Sequence, residues 1–354
     1  MATPVRTYGF INAKLRARIS EMLDLDFFSR MIRSRSFIEA MSTLRGTEYS
    51  EIDAVYGQTG DLKMAELELY RRELRVLRGV ERYVEGTVLD FVRALTTRYE
   101  IEELKNALRL WFERVVRGRS VESKIPYLLR EPVHYDINWD GIVNAPSIEQ
   151  VAEELDETPY RTCVEQNAAE VERRASLFPL ETALDRHFYE GVHATVEELD
   201  DRDRDIAERL LGIEVDLANV EWIVRYKSYY ELPAEEAVAR TLPFGRTIDQ
   251  ATMLSSYQSG NPAEKLGAVL RAGYPGLAGL YRSGGGDSSR LAMLESLMNE
   301  LLLREVHRTL GGYPFTIGIV LSYFVLKQTE IRRIMTILNA KYYDVTQERI
   351  ERLL

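Results

Sequence analysis

Asp136, Asn138 and Asp140 occupy alternate positions and are followed by Gly141, as in the first half of a calcium-binding EF-hand loop. Side-chain oxygens in this spacing, with a glycine for the sharp turn, would bind calcium. The position that supplies a bidentate glutamate in such loops is Ser147, which lacks a carboxylate. The alternative is a turn built from Asn and Asp, followed by a helix that starts near Ser147, and the sequence favours this alternative.

A second candidate is an alternating run of aspartate and arginine. Its carboxylates could hold a metal or dock a basic partner, but the intervening arginines compensate the charge, and no glycine follows as a calcium loop requires. A solvated charged turn is therefore the simpler interpretation, and partner docking is the alternative. The four aspartates that would form this acidic cluster are Asp200, Asp201, Asp203 and Asp205.

The remaining reactive residue types form no catalytic pattern. His187 and His193 lie six apart, off the spacing of a helical zinc pair, and Cys163 is the only cysteine. The glycines at 284–286 lack the Lys-Ser/Thr that completes a phosphate-binding loop and predict a connector. We therefore predict no catalytic residue, no cofactor site and no metal site.

Composition limits the class of protein. The chain has 354 residues, 45% of them hydrophobic and 29% charged, which is enough apolar material for more than one buried core. Its net charge of -10 argues against a nucleic-acid partner. A single cysteine favours a reducing compartment, and the N-terminus shows no signal peptide. Glycines and a proline interrupt the uncharged stretch 309–326, so we predict a buried helix there and no direct membrane insertion.

Helical periodicity dominates the chain, and one helical pattern recurs three times. An acidic residue is followed directly by an aliphatic residue, and further apolar residues come at intervals of three. The pattern starts at Glu100, Asp216 and Glu330, at offsets of 116 and 114 residues. It places an apolar stripe on one helix face and predicts that the acid starts the helix, where a negative charge complements the helix dipole.

Two further landmarks keep nearly the same spacing. Glu66, Glu181 and Glu295, each followed three residues later by Leu or Met, lie at offsets of 115 and 114 residues. A Leu-x-x-Thr-x-Tyr sequence at 44–49 recurs at 155–160 without a clear third copy. The chain is therefore predicted to be all-α, with three homologous helical domains of about 115 residues near 1–120, 121–240 and 241–354. A long solenoid of short repeats is the alternative, but no regular short period is found.

Charge is uneven over these predicted domains. Residues 121–240 hold 12 basic and 28 acidic side chains, whereas the first and last thirds are each slightly basic. Extra solvent-facing surface in the middle domain would explain this. The alternative is that the acidic surface, including the aspartate cluster, guides a basic element of a partner into place.

The chain resembles the C subunit of the prokaryotic V-type and A-type rotary ATPases (ATP synthases), whose eukaryotic counterpart is the d subunit of the V-ATPase. The resemblance is carried by the stretch 314–332, with its Lys327-x-x-Glu330-x-Arg332 run, and by similar internal copies at 178–185 and 99–105. It extends over essentially the whole chain, although its motifs are diffuse helix patterns.

The resemblance implies a funnel-like protein whose three domains surround a pseudo-threefold axis. It further implies a non-catalytic part of the rotor on the cytoplasmic side of the membrane, a socket between the central-stalk subunits and the membrane rotor ring in torque transmission and ion transport. A generic helical adaptor for another cytosolic protein is the competing function, and an enzyme with an unrecognised site is a third.

Overall fold

The computed structural model describes residues 4–274 and 287–353, and these residues form helices and connecting turns without a β-strand. The prediction of an all-α chain is confirmed. The predicted glycine connector at 284–286 lies outside the described residues. The longer helices are α1 (Pro4–Ser20), α5 (Leu62–Arg78), α6 (Thr87–Val115), α9 (Tyr160–Arg174), α10 (Phe178–Glu197), α11 (Asp201–Arg225), α15 (Asp287–Leu310) and α16 (Gly318–Tyr342).

Shorter helices fill the intervals between them. These are α2 (Leu25–Arg33), α3 (Phe37–Ser42), α4 (Ser50–Thr59), α7 (Trp139–Asn144), α8 (Ile148–Glu153), α12 (Ala234–Ala239), α13 (Gln250–Tyr257), α14 (Pro262–Gly273) and α17 (Gln347–Leu353). Single 3₁₀ turns occur at Thr43–Gly46, Glu81–Tyr83 and Ile125–Tyr127, and a π-helical turn, Tyr226–Tyr230, ends α11.

Side-chain caps explain where several short helices begin. Asp24 accepts a hydrogen bond from the Phe27 N–H at the start of α2, and Ser36 caps α3 in the same way. Asn138 caps α7 and Asp249 caps α13. Such caps satisfy amide groups that a helix N-terminus otherwise leaves unpaired, which fixes the start of helices too short to be stable alone.

Contacts divide the chain into two compact units. Unit 1 comprises Met1–Gly9 and Thr182–Ser322, and unit 2 comprises Phe10–Glu181 and Tyr323–Leu354. In unit 1, α11 packs against α13, α14 and α15. The division into three domains near 1–120, 121–240 and 241–354 stays a prediction.

Unit 2 has a core that joins distant parts of the sequence. Met31, Leu44 and Leu69 from its N-terminal helices pack with Ile334 and Ile337 of α16, and all five are essentially inaccessible to solvent. Burying each such side chain stabilises the fold by about 1.5–3 kcal/mol. Helix α16 therefore shares one core with the N-terminal helices of unit 2.

One expectation about the landmark acids is wrong. Glu100, Asp216 and Glu330 do not start helices but lie well inside α6, α11 and α16, where all three are buried. In α6 the apolar stripe continues N-terminal to the acid through Phe91 and Leu95, so the helix begins a dozen residues earlier than the landmark. Because the pattern marks a buried face rather than a helix start, the three carboxylates need partners other than the helix dipole.

Candidate functional site

Glu100 receives hydrogen bonds from two separate parts of unit 2. Its Oε2 accepts from the backbone N–H groups of His134 and Tyr135 at 2.8 and 2.9 Å. Its Oε1 accepts from the Tyr160 hydroxyl at 2.7 Å. A fully buried carboxylate is costly unless its oxygens are satisfied, and here three donors satisfy them.

Asp216 has the same kinds of donor in unit 1. The backbone N–H groups of Thr247 and Ile248 donate to its two oxygens at 2.9 and 3.1 Å, and the Tyr274 hydroxyl donates at 2.7 Å. Burial raises the pKa of Asp216, and these hydrogen bonds to the charged form oppose that shift. Gly245 is required beside it, because a Cβ there would collide with the Asp216 carboxylate.

Glu330, the third landmark acid, lies in unit 2 and accepts hydrogen bonds from residues near the start of the chain. The Leu23 N–H donates to its Oε1 at 2.6 Å, and the Tyr49 hydroxyl donates to its Oε2. The Lys327 ammonium group donates to the same Oε2 at 2.6 Å and also pairs with Glu48. This landmark therefore adds a buried ion pair to the amide and tyrosine donors.

Each landmark acid thus accepts from a backbone N–H that precedes a short helix and from one tyrosine. Burial raises the pKa of Tyr49, Tyr160 and Tyr274, and the adjacent carboxylate raises it further, so these hydroxyls stay protonated as donors. The Leu-x-x-Thr-x-Tyr pattern does not identify Tyr274, because positions 269 and 272 lack its Leu and Thr, although Tyr274 follows Tyr160 by 114 residues, which is the repeat spacing. Superposition of the three landmark acids stays a prediction.

A second pair of buried acceptors lies one helical turn after two of these acids. Asn219 exchanges two hydrogen bonds with the backbone of Leu242, at 2.9 and 3.0 Å. Glu103 accepts from the Leu129 N–H at 2.8 Å and, being only 2% exposed, has a pKa that burial raises to about 7. A carboxylate thus fills in α6 the acceptor role that an amide fills in α11.

The other landmark glutamates join helices at the surface. Arg109 of α6 pairs with Glu181 of α10 at 2.6 Å, and Asn339 of α16 donates to Glu66 of α5. Glu295 is exposed on α15. Such surface contacts contribute little to the free energy of folding, so Glu66 and Glu181 orient neighbouring helices more than they stabilise them.

The four aspartates of the acidic cluster separate into two groups. Asp203 is 3% exposed, accepts from the Tyr8 hydroxyl and from the Ile317 N–H at 2.8 Å, and so cannot take part in surface docking. Asp200 caps α11, and Asp201 and Asp205 are exposed on its first turns. A docking role stays a prediction for these three. The run itself starts a helix and is not an irregular turn.

The side chains of the calcium-like loop at 136–141 form a helix cap and an ion pair. Asn138 caps α7, while Asp140 forms a two-point ion pair with Arg130 at 2.7 and 2.9 Å. Within residues 4–274 and 287–353, no group of three His, Cys, Asp or Glu side chains is placed to hold a metal ion. In the same ranges, no helix has both the length and the hydropathy needed to cross a bilayer.

Unit 2 contains a cleft between α5, α6 and α16, here called the α6–α16 cleft. Its volume is about 670 Å³. Tyr70 and Tyr99 line it with Met335 and the largely exposed Tyr343, and Glu73 lies among them. Burial raises the pKa of Glu73, which accepts a hydrogen bond from the Tyr99 hydroxyl. An aromatic cleft of this size suits a side-chain anchor of a protein partner.

Comparison with known proteins covers nearly the entire chain. The profile of a family described as ATP synthase (C/AC39) subunit matches residues 11–353. The C subunit of the A-type ATP synthase of Methanothermobacter thermautotrophicus is 23% identical, over 94% of this chain and 84% of the relative. The proteins of the same name from Haloquadratum walsbyi and Methanocaldococcus jannaschii are 23% and 20% identical, over 97% and 100% of this chain and 96% and 88% of their own lengths.

Proposed function

The chain belongs to the ATP synthase (C/AC39) subunit family, and from this membership we propose that it is a non-catalytic central rotor subunit of a V/A-type rotary ATPase. In this role it is a socket that links the central-stalk subunits to the membrane rotor ring. It lies peripherally on the cytoplasmic side of the membrane and transmits torque during ion transport. The observation that carries the proposal is the match of the family profile over residues 11–353, which leaves almost no part of the chain for another function.

The buried acids support this role because a torque-transmitting part has to be stiff. Each landmark carboxylate ties the middle of a long helix to a loop and to a tyrosine that lies elsewhere in the sequence. Breaking such a contact leaves a buried charge or amide unsatisfied, at a cost of about 1–3 kcal/mol. Helices held by several such contacts resist sliding under load.

Two surface features support the proposal that the chain docks onto partners. The α6–α16 cleft has aromatic walls, as protein interfaces do at their centres. In unit 1, Asp205 lies at a groove of about 580 Å³ that is also lined by His193 and Phe244. The three exposed aspartates, Asp200, Asp201 and Asp205, would attract a basic element of the stalk or ring, and of these Asp205 lines the groove.

Reconstitution tests the proposal directly. The purified chain is mixed with detergent-solubilised rotor ring and with stalk subunits from the same organism, and complexes are separated by size-exclusion chromatography. We expect stable complexes with each partner and a larger one with both. If the chain binds neither partner, the rotor function is refuted and the helical-adaptor alternative replaces it.

Charge substitution then tests the docking surface. Replacing Asp200, Asp201 and Asp205 by asparagine is expected to slow association by about two- to tenfold at low salt and to flatten its salt dependence. The matched control replaces three other exposed acids by glutamine, Glu157, Glu172 and Glu198. If both triple variants associate equally fast, the aspartates are only a solvated surface.

A further inference from the structure

A second cavity in unit 2 is rich in guanidinium groups. It has a volume of about 650 Å³ and opens between α1, α5 and the turn that follows α5. Two glutamates, Glu81 and Glu131, also line it, so positive charge is in excess. We call it the arginine cleft. The arginines that line it are Arg18, Arg72, Arg75, Arg78 and Arg82.

Two arginines that line this cleft, and a lysine that contacts the lining residue Tyr83, have no carboxylate partner. Among the residues that the structure describes, Lys14, Arg18 and Arg82 form no ion pair. Arg18 forms a hydrogen bond with the Tyr323 side chain, but its Nη1 is buried without an acceptor. All three act on Tyr83: its pKa is lowered by a hydrogen bond with Lys14 and by the positive charges of Lys14, Arg18 and Arg82. The Lys14 Nζ lies 4.3 Å from the centre of the Tyr83 ring. These groups form a local concentration of uncompensated positive charge.

The other arginines are held in place by ion pairs. Arg72 pairs with Glu48 at 2.9 Å, and Arg75 pairs with Glu68. Arg78 donates to the Pro132 carbonyl at 2.9 Å. Their guanidinium groups are therefore preorganised, so a ligand would lose less side-chain entropy on binding to them.

We propose that the arginine cleft binds a small anion that carries several phosphate groups. Its oxygens would accept from Arg18 and Arg82, which line the cleft, and from Lys14, which contacts the lining residue Tyr83. A guanidinium matches the geometry of a phosphate with two parallel hydrogen bonds, and several unpaired cations are neutralised by one multiply charged anion. The half-buried Val76 and the Tyr83 ring line the cleft and would contact an apolar or aromatic part of the ligand.

The shape of the site favours a small ligand over an acidic protein segment. A concave cavity of about 650 Å³ is in the size range of small-molecule sites. Arg18 lines the cavity, and its buried Nη1 has no hydrogen-bond acceptor, so a ligand held in the cavity would lie beside a guanidinium with spare donor capacity. This inference is independent of the rotor function, since it concerns ligand binding by the chain itself.

Calorimetric titration of the full chain tests the proposal. The free anions are inorganic tripolyphosphate and ATP, and the lipid-bound form is a phosphatidylcholine vesicle with and without a phosphoinositide. We expect binding of at least one phosphate form. We also expect Arg82→Gln and Lys14→Gln each to weaken it by about tenfold or more. Arg35→Gln is the control, because Arg35 is an exposed arginine of unit 2 outside the cleft.

Each outcome of the titration either supports or overturns the proposed phosphate site. Binding of the free anions assigns a soluble ligand, whereas binding only of phosphoinositide vesicles assigns a lipid headgroup with the same phosphate chemistry. The proposal is overturned if no phosphate form binds, or if Arg35→Gln weakens binding as much as Arg82→Gln does. It is also overturned if polyglutamate binds equally tightly with the same variant sensitivity. Thermal melting without ligand verifies that the variants remain folded.

Discussion

Replacing Glu103 by glutamine is expected to stabilise the protein at alkaline pH and to have little effect in acid. The Glu103 carboxyl group is buried, and its pKa in the folded protein is about 7, above its value of 4.5 in a solvated chain. The folded state therefore binds a proton that the unfolded state releases. Stability linked to this group is present below about pH 4.5 and is lost as the pH rises through 7.

The magnitude follows from the same values. Above pH 7, keeping the Glu103 charge buried costs the folded state on the order of 3 kcal/mol relative to the unfolded chain. Glutamine keeps an oxygen that accepts from the Leu129 N–H but has no charge to bury. The variant should therefore unfold at a higher urea concentration at pH 8.5, by about 1–3 kcal/mol in free energy, and at nearly the wild-type concentration at pH 5.

Urea unfolding of the full chain, followed by tryptophan fluorescence between pH 5 and 8.5, measures this difference. The matched control is Glu102→Gln on the adjacent position of α6, whose side chain is 44% exposed and pairs with Lys105. The reasoning is refuted if the stability difference between Glu103→Gln and wild type is the same at all pH values, because the carboxyl would then titrate alike in both states.

Three further predictions concern the buried acids and the loop at 136–141. Tyr160→Phe removes one donor to Glu100 and should lower the free energy of unfolding by about 1–3 kcal/mol in urea titrations at pH 7. Glu330→Gln should cost about 3 kcal/mol in the same assay because it weakens the compensation of buried Lys327, and adding Lys327→Met should recover part of the loss. The isolated chain should hydrolyse no nucleotide and bind no calcium at micromolar concentrations, and calorimetric binding abolished by Asp136→Ala would contradict this.

The sequence determined the secondary structure class and the relationship to a family. Apolar residues at intervals of three and four predict helices because that spacing places them on one helix face. The recurrence of Glu100, Asp216 and Glu330 also identified which positions are special. Helix formation depends on residues close in sequence, and the repeat is found by comparing such short stretches with one another. Both can therefore be inferred without knowing the tertiary structure.

The helical periodicity of the sequence could not show which residues contact Glu100, Asp216 and Glu330. Asp216 has donors 31, 32 and 58 residues further along the chain, whereas the Leu23 donor of Glu330 lies 307 residues before it. Asp203, which belongs by sequence to an exposed acidic run, is buried because Tyr8 and Ile317 lie beside it.

The physical reason is that helix formation and carboxylate burial depend on residues at different separations along the sequence. Helix formation depends on neighbours within a few residues, whereas a buried carboxylate is tolerated only where donors from distant segments converge on it. The sequence therefore indicated that Glu330 occupies a recurring position, and only the tertiary structure decided that its role is to join α16 to the N-terminal segment of unit 2.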